Sequence, residues 1–326
     1  MSDNVQISTI EDSIAFLNAA NARPVVEDMQ RNALLRRYEW EEIDAAVIRV
    51  AKTGLNAVQD LLDRGLRHNL GGLGTLSSVQ EQMSDITEAN VDMAAETAGE
   101  EDLPKYSPLV WPVPVIHKDF RINIRTLEAS RRLGDGLDVS GVELATRRVL
   151  EVAEEMLMLG SHMPKVGTSQ GQGYANKTGR ISDTATNFGG GDFGVWGNGY
   201  KTIAGMINAL AAKGFAGPFG VYVSRIQYGQ LVTSINQYGG SELNSIREGI
   251  PGIAFIKPSD DLSDGNVIVV SLQSDVVDFA IAQDLTVVQW QELGGMIQRY
   301  KVMLVGTPRV KGDAAGNVGV AHATGA

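Results

Sequence analysis

Apolar residues recur at helical spacing most clearly between Ser140 and Gly160, where Val142, Val149, Val152, Ala153, Met156 and Leu159 form one stripe. Arg147, Arg148, Glu151, Glu154 and Glu155 take the opposite face, which the pattern assigns to solvent. Ser140 and Glu143 have the spacing of a capping box, and Gly160 is a natural stop. The pattern predicts one long two-faced helix. A second helical run covers residues 26–66 in two pieces, with Trp40, Ile43, Val47, Val50, Val58, Leu61 and Leu62 on one side and Gly54 as a weak point. Between the two runs, residues 109–124 alternate as a strand once past Pro112 and Pro114, and those prolines suit the edge of a sheet. A short helix over residues 125–133 follows, closed by Gly134-Asp135-Gly136.

Residues 163–200 are rich in glycine and lack apolar periodicity, which reads as surface loop. Beyond them the pattern predicts a helix at 201–212, a buried strand at 217–223, helices at 225–236 and 241–247, and a strand at 253–256. Residues 267–272, 276–282 and 285–291 read as hairpin-connected strands turning at Ser274-Asp275 and Gln283-Asp284, and 299–305 closes the series. The first 25 residues read as a polar arm, and the tail beyond Pro308 as loose.

Charge adds a contrast. Between His68 and Pro104 there is no Lys or Arg but eight acids, Glu81, Asp85, Glu88, Asp92, Glu96, Glu100, Glu101 and Asp102. The stretch is either an acidic disordered linker or a projecting hairpin that orders against a neighbour. Lys118, Arg121, Arg125, Arg131 and Arg132 supply a basic counterpart just before the long helix. These ten residues, from Glu81 to Glu96 and from Lys118 to Arg132, are the candidate contacts between subunits, acidic loop over basic neighbour. Repeated in a symmetric assembly, such pairs set register more than affinity.

Whole-chain composition narrows the classes. The 326 residues carry a net charge of −11, which argues against a general nucleic-acid binder. With no cysteine, thiolate metal sites and Cys nucleophiles are excluded. No signal-peptide core or membrane-length apolar run is present, so a soluble protein made in the cytoplasm is expected. None of the four histidines has a second ligand at metal spacing, and the glycine clusters at 71–74 and 189–191 fit neither a phosphate loop nor a dinucleotide fingerprint. Asp260-Asp261 reads as an ordinary turn. No catalytic, cofactor or metal residue is assigned, and the reading is not an enzyme.

Residues 107–133 (SPLVWPVPVIHKDFRINIRTLEASRRL) and 136–160 (GLDVSGVELATRRVLEVAEEMLMLG) resemble the strand, short helix and spine helix of encapsulins and tailed-phage major capsid proteins. Residues 217–232, 245–255 and 269–292 look like the same family's axial domain and returning strands, and Trp40-Glu41-Glu42-Ile43-Asp44 is similar to an encapsulin W-x-x-I-D signature. The resemblance covers most of residues 38–310, in order. It implies an α+β, Hong Kong 97-type capsid fold with a peripheral domain (spine helix and β-ribbon), an axial domain (central sheet with helices), an extended loop and an N-terminal arm. The implied boundaries are 1–40 for the arm, 41–67 for the helix leading to the loop and 68–112 for the loop. They continue with 113–165 and 285–312 for the peripheral domain, 166–200 for the glycine-rich loop, 201–284 for the axial domain and 313–326 for a flexible tail. Implied partners are further copies in pentamers and hexamers, with portal and scaffolding or decoration proteins, and DNA by non-specific proximity only. The long arm and the extra loops favour a phage head, in a virion assembled in the host cytoplasm. An encapsulin nanocompartment around a cargo enzyme is the alternative.

Overall fold

The computed structural model describes residues 37–54, 56–83, 103, 106–133, 139–166, 169–236, 239–292, 296–313 and 315–326. In chain order, helices α1 (Arg37–Gly54) and α2 (Ala57–Asp63) lead to β1 (Arg67–Asn69) and to a hairpin of β2 (Ser77–Met83) and β3 (Tyr106–Pro112). Then come β4 (Val115–Asn123), α3 (Ile124–Leu133) and the long helix α4 (Ser140–Met158). Short strands β5 (Lys165–Val166), β6 (Ser169–Gln170) and β7 (Ile181–Thr184) precede α5 (Asn198–Ala212), β8 (Phe219–Ser224), α6 (Arg225–Thr233), α7 (Glu242–Gly249) and β9 (Ile253–Ser259). The chain finishes with β10 (Val267–Ser271), β11 (Val277–Glu292), β12 (Ile297–Val310) and β13 (Val320–Thr324).

Two sheets organise these elements. One runs β7-β13-β10-β8-β9; its inner strands β8 and β10 are buried on both faces and read as apolar runs, while the edge strand β7 is largely exposed. Val267 and Val269 enter one core with Val221, Val223 and α5 residues Ile203 and Met206, while Ile268 and Val270 enter another with Tyr222 and Val320. The other sheet runs β1-β11-β12-β4 and ties that second core to a third. Phe279 and Ile281 of β11 pack with Tyr222, whereas Leu285 and Val287 pack with α1 and α4 through Ile43, Val149 and Leu150. Each large apolar side chain buried this way contributes about 1.5–3 kcal/mol. The register slips of β11 on β12 between Ile281 and Thr286 fall where the strand passes from one core to the other.

Several expectations change. The Ser140–Glu143 capping box does not form: Val139 is the N-cap, its carbonyl takes the Glu143 amide at 3.0 Å, and the Glu143 carboxylate pairs with Arg49 on α1. Glu154 is not on the solvent face. It is 8% exposed and accepts the amides of Ala57 at 2.7 Å and Val58 at 3.3 Å, capping α2 from the side of α4. A helix N-terminus has free amides and a positive dipole end, so a carboxylate is the group that satisfies it.

The glycine-rich segment is packed rather than loose. The Tyr174 and Ala175 amides donate to the Leu157 and Met158 carbonyls at 2.9 and 2.8 Å, closing the C-terminus of α4. That approach needs Gly173, because a Cβ there would lie 2.3 Å from the Gly160 nitrogen. Tyr174 and Phe193 are fully buried, and β7 pairs with β13. Gln283-Asp284 is not a hairpin turn but an irregularity inside the continuous strand β11, and Ser274-Asp275 joins two different sheets. The flexible tail of 313–326 is also corrected: β13 lies between β10 and β7, with Val320, Ala321 and Ala323 at 0% exposure.

Candidate functional site

The hairpin stands out from the rest of the chain. Its strands pair from Ser77 with Pro112 to Met83 with Tyr106. Period-two alternation puts Ser78 and Trp111 on one face, with Val79 and Tyr106 on the other. Ser78 and Trp111 are 4% exposed, whereas Val79 and Tyr106 are 59% and 60% exposed, beside Leu76 at 79%. Val79 and Tyr106 are uncovered by this chain, on a face they share with the exposed Glu81 and, at its root, the buried Pro112. Glu81 is exposed on β2, while Asp85, Glu88, Asp92 and Glu96 lie outside the described residues.

One guanidinium anchors the inward face. Arg309 on β12 donates Nε and Nη2 to the Asp278 carboxylate of β11 at 2.7 and 2.5 Å, and Nη1 to the Ser78 hydroxyl at 2.9 Å. Its guanidinium also lies 5.8 Å from the Trp111 ring centroid. Lys311 pairs with Asp278 at 2.8 Å and donates to the Ser274 carbonyl at 2.5 Å. A fork-shaped donor held on two oxygens fixes direction as well as distance. The root of the hairpin is therefore held at a definite angle to the four-stranded sheet.

The basic candidates do not share one surface. Lys118, Arg121, Arg125 and Arg132 are exposed; Arg131 lies on α3, with its side chain outside the description. Alternation along β4 sends Lys118 and Arg121 to opposite faces. Lys118 borders a cleft with Arg148, Glu151 and His162 along α4, while Arg121 pairs across the sheet with Arg299. Further exposed apolar residues are Val195 and Trp196 before α5, Ile226 and Val232 on α6, and Ile235 just past it.

Buried carboxyls connect the cores. Asp60 on α2 accepts the Tyr222 hydroxyl at 3.2 Å and pairs with Lys257 on β9, so α2 is tied to the five-stranded sheet. Burial pushes Glu154 up from 4.5 to about 7 against the pull of the Ala57 and Val58 amides. Asp261 rises to about 6 through burial and then the Glu155, Asp260 and Glu151 charges, and Asp44 rises to about 6 through burial and Glu41. Burial lowers His322.

Sequence reasoning missed Asp278, Arg309, Lys311 and Asp60. A signal existed: Asp278 interrupts an apolar strand, and Arg309 and Lys311 sit in and just past the end of another. Charges in such places are tolerable only when paired. What it lacked was the partner, 31 residues away in the case of Arg309 and Asp278.

A family model described as "Encapsulating protein for peroxidase" (Linocin_M18) matches residues 28–292. The type 1 encapsulin shell protein EncA of Myxococcus xanthus is 26% identical over 258 residues, 77% of this chain and 82% of that protein. Among solved structures, the virus-like particle from Pyrococcus furiosus has a TM-score of 0.58 at 18% identity, over 88% of this chain and 100% of that one. The capsid of Myoviridae phage XM1 has a TM-score of 0.58 at 20% identity, over 81% of this chain and 90% of that one. The fold is that of Hong Kong 97-type capsids, α+β with a four-stranded sheet, a five-stranded sheet and a long helix.

Proposed function

This chain belongs to the Linocin_M18 family of encapsulating proteins, and we propose that its copies close, as pentamers and hexamers, into an icosahedral phage head around double-stranded DNA. The family is one of structural shell proteins, and assembly rather than catalysis is the activity. The observation that carries the proposal is the hairpin: held at its root by Arg309, it offers Leu76, Val79 and Tyr106 to water. An isolated two-stranded hairpin is marginal, and apolar residues so exposed mark a contact. A neighbouring copy is the partner that makes both stable. We place the five-stranded sheet at the symmetry axes and the long helix with the β4 ribbon at the periphery. The acidic stretch of 81–102 then lies toward the neighbour's cations Lys118, Arg121, Arg125, Arg131 and Arg132, of which Lys118 and Arg121 meet it from opposite faces of β4. The net charge of −11 fits DNA that is enclosed by proximity and not gripped. Portal and scaffolding or decoration proteins complete such a head in the host cytoplasm.

A nanocompartment around a cargo enzyme is the second reading, favoured by the family description and by EncA being an encapsulin shell protein. Particles purified from the producing cell, treated with nuclease and then opened, separate the two. Protected double-stranded DNA of defined length is the expected content. A stoichiometric cargo protein without DNA would establish the nanocompartment, and a small soluble oligomer would overturn both.

A further inference from the structure

The buried charges at the hairpin root do not balance. Arg309 and Lys311 are 4% and 9% exposed, and among the described residues Asp278 is the one carboxylate paired with either. Arg309 is committed to Asp278 and Ser78. Lys311 has three ammonium protons and two partners, Asp278 and the Ser274 carbonyl, which leaves one proton for a further acceptor. A surplus cation withdrawn from water is costly unless an anion meets it. Both cations border a cleft of about 360 Å³, with Arg67, His68 and Gln80 around them. The Gln80 side-chain oxygen has no partner, and turning that amide over presents its NH₂ to an anion instead.

We propose that this cleft receives a side-chain carboxylate from the acidic stretch 81–102 of a neighbouring copy. Charge selects the occupant. Between residues 69 and 103 the chain has acids but no Lys or Arg, so the segment brings a carboxylate without a competing cation. Geometry selects a neighbour. From Ser78 to Met83 the strand runs away from the root by about 3.3 Å per residue, roughly 16 Å in all, so a chain's own tip would have to double back. The buried Lys311 is the centre of the contact, and the exposed Arg67 at the edge of the cleft is its rim, where a pair is worth little. The inference rests on the shell reading and names the contact that reading leaves open.

Carbodiimide, which joins a carboxylate directly to a lysine in contact with it, provides the test on assembled particles of the full chain. Particles are co-assembled from ¹⁵N-labelled and unlabelled copies, and the linked peptides are read by mass spectrometry. The expected product joins Lys311 to an Asp or Glu within 81–102, with mixed-isotope pairs present. Linkage of Lys311 to Asp278 alone, same-isotope pairs alone, or ultraviolet crosslinking of Lys311 to nucleic acid would overturn the proposal while leaving the shell reading intact. If the wild-type chain forms no particles, the shell reading falls first. A second variant, Gln80→Glu, fills the cleft from within: particle yield drops at least tenfold with the subunit's melting temperature unchanged or raised. Undiminished yield counts against the docked carboxylate.

Discussion

Glu154 holds the Ala57 and Val58 amides from inside the core, which ties its proton to folding. With Glu154 raised to about 7, and Asp261 and Asp44 to about 6, the folded chain keeps protons that the unfolded chain has released. These groups therefore add stability as pH falls through 7 toward the ordinary carboxylate range, and withdraw it as pH rises. Thermal unfolding of the subunit at pH 5.5 and pH 8 should show the higher midpoint at pH 5.5. Glu154→Gln keeps an acceptor for the amides, so it should flatten that difference and gain on the order of 2 kcal/mol at pH 8. The same scale governs the root of the hairpin. Arg309→Met leaves Asp278 with Lys311 alone and should cost about 3 kcal/mol in chemical denaturation. Ser78→Ala removes one hydrogen bond, about 1 kcal/mol, and should raise amide exchange in β2 and β3 with little change elsewhere.

At the scale of elements, the hairpin and the long helix differ in what completes them. Helix α4 is finished within the chain: its buried face meets α1, β4 and β12, and its last carbonyls are taken by the Tyr174 and Ala175 amides. The hairpin is finished only at its root: Ser78, Trp111 and Pro112 are buried, while Val79, Tyr106, Ser107 and Pro108 are exposed. Val79→Ser with Tyr106→Ser should change subunit stability by less than about 0.5 kcal/mol, since both side chains are already in water. Particle formation, followed by size-exclusion chromatography and negative-stain microscopy, should fall sharply. Intact particles from that double variant would mean the outward face is not a contact.

Among the described residues, three cores are strung along the two larger sheets, and the last strand is internal to one of them. β13 bonds to β10 on one side and β7 on the other, so removing residues 319–326 detaches the edge strand β7 and leaves β10 with an unpaired edge. Such a truncation should yield insoluble protein or lose the cooperative unfolding transition, as circular dichroism during heating would show. The same reasoning makes the glycine-rich segment structural, since β7 and the buried Tyr174 and Phe193 come from it.

Sequence patterning determined what a single element can settle alone. The stripe of Val142, Val149 and Met156 makes a helix with a buried face; Pro112 and Pro114 lead into β4, which does lie at a sheet edge; Gly54 ends α1, and Gly160, at φ +67°, follows the end of α4. The acidic run of 81–102 and the basic run of 118–132 are legible as local composition, and their meeting across subunits is a proposal. Tertiary structure alone decided the rest, namely Glu154 turned inward, Asp278 and Arg309 joined across neighbouring strands, and a small-residue tail built into a sheet. The physical reason is common to all three. A carboxylate is drawn to free helix amides, a buried cation to its counter-charge and a strand to an open row of hydrogen-bonding groups, and in each case the attracting group lies far away in sequence.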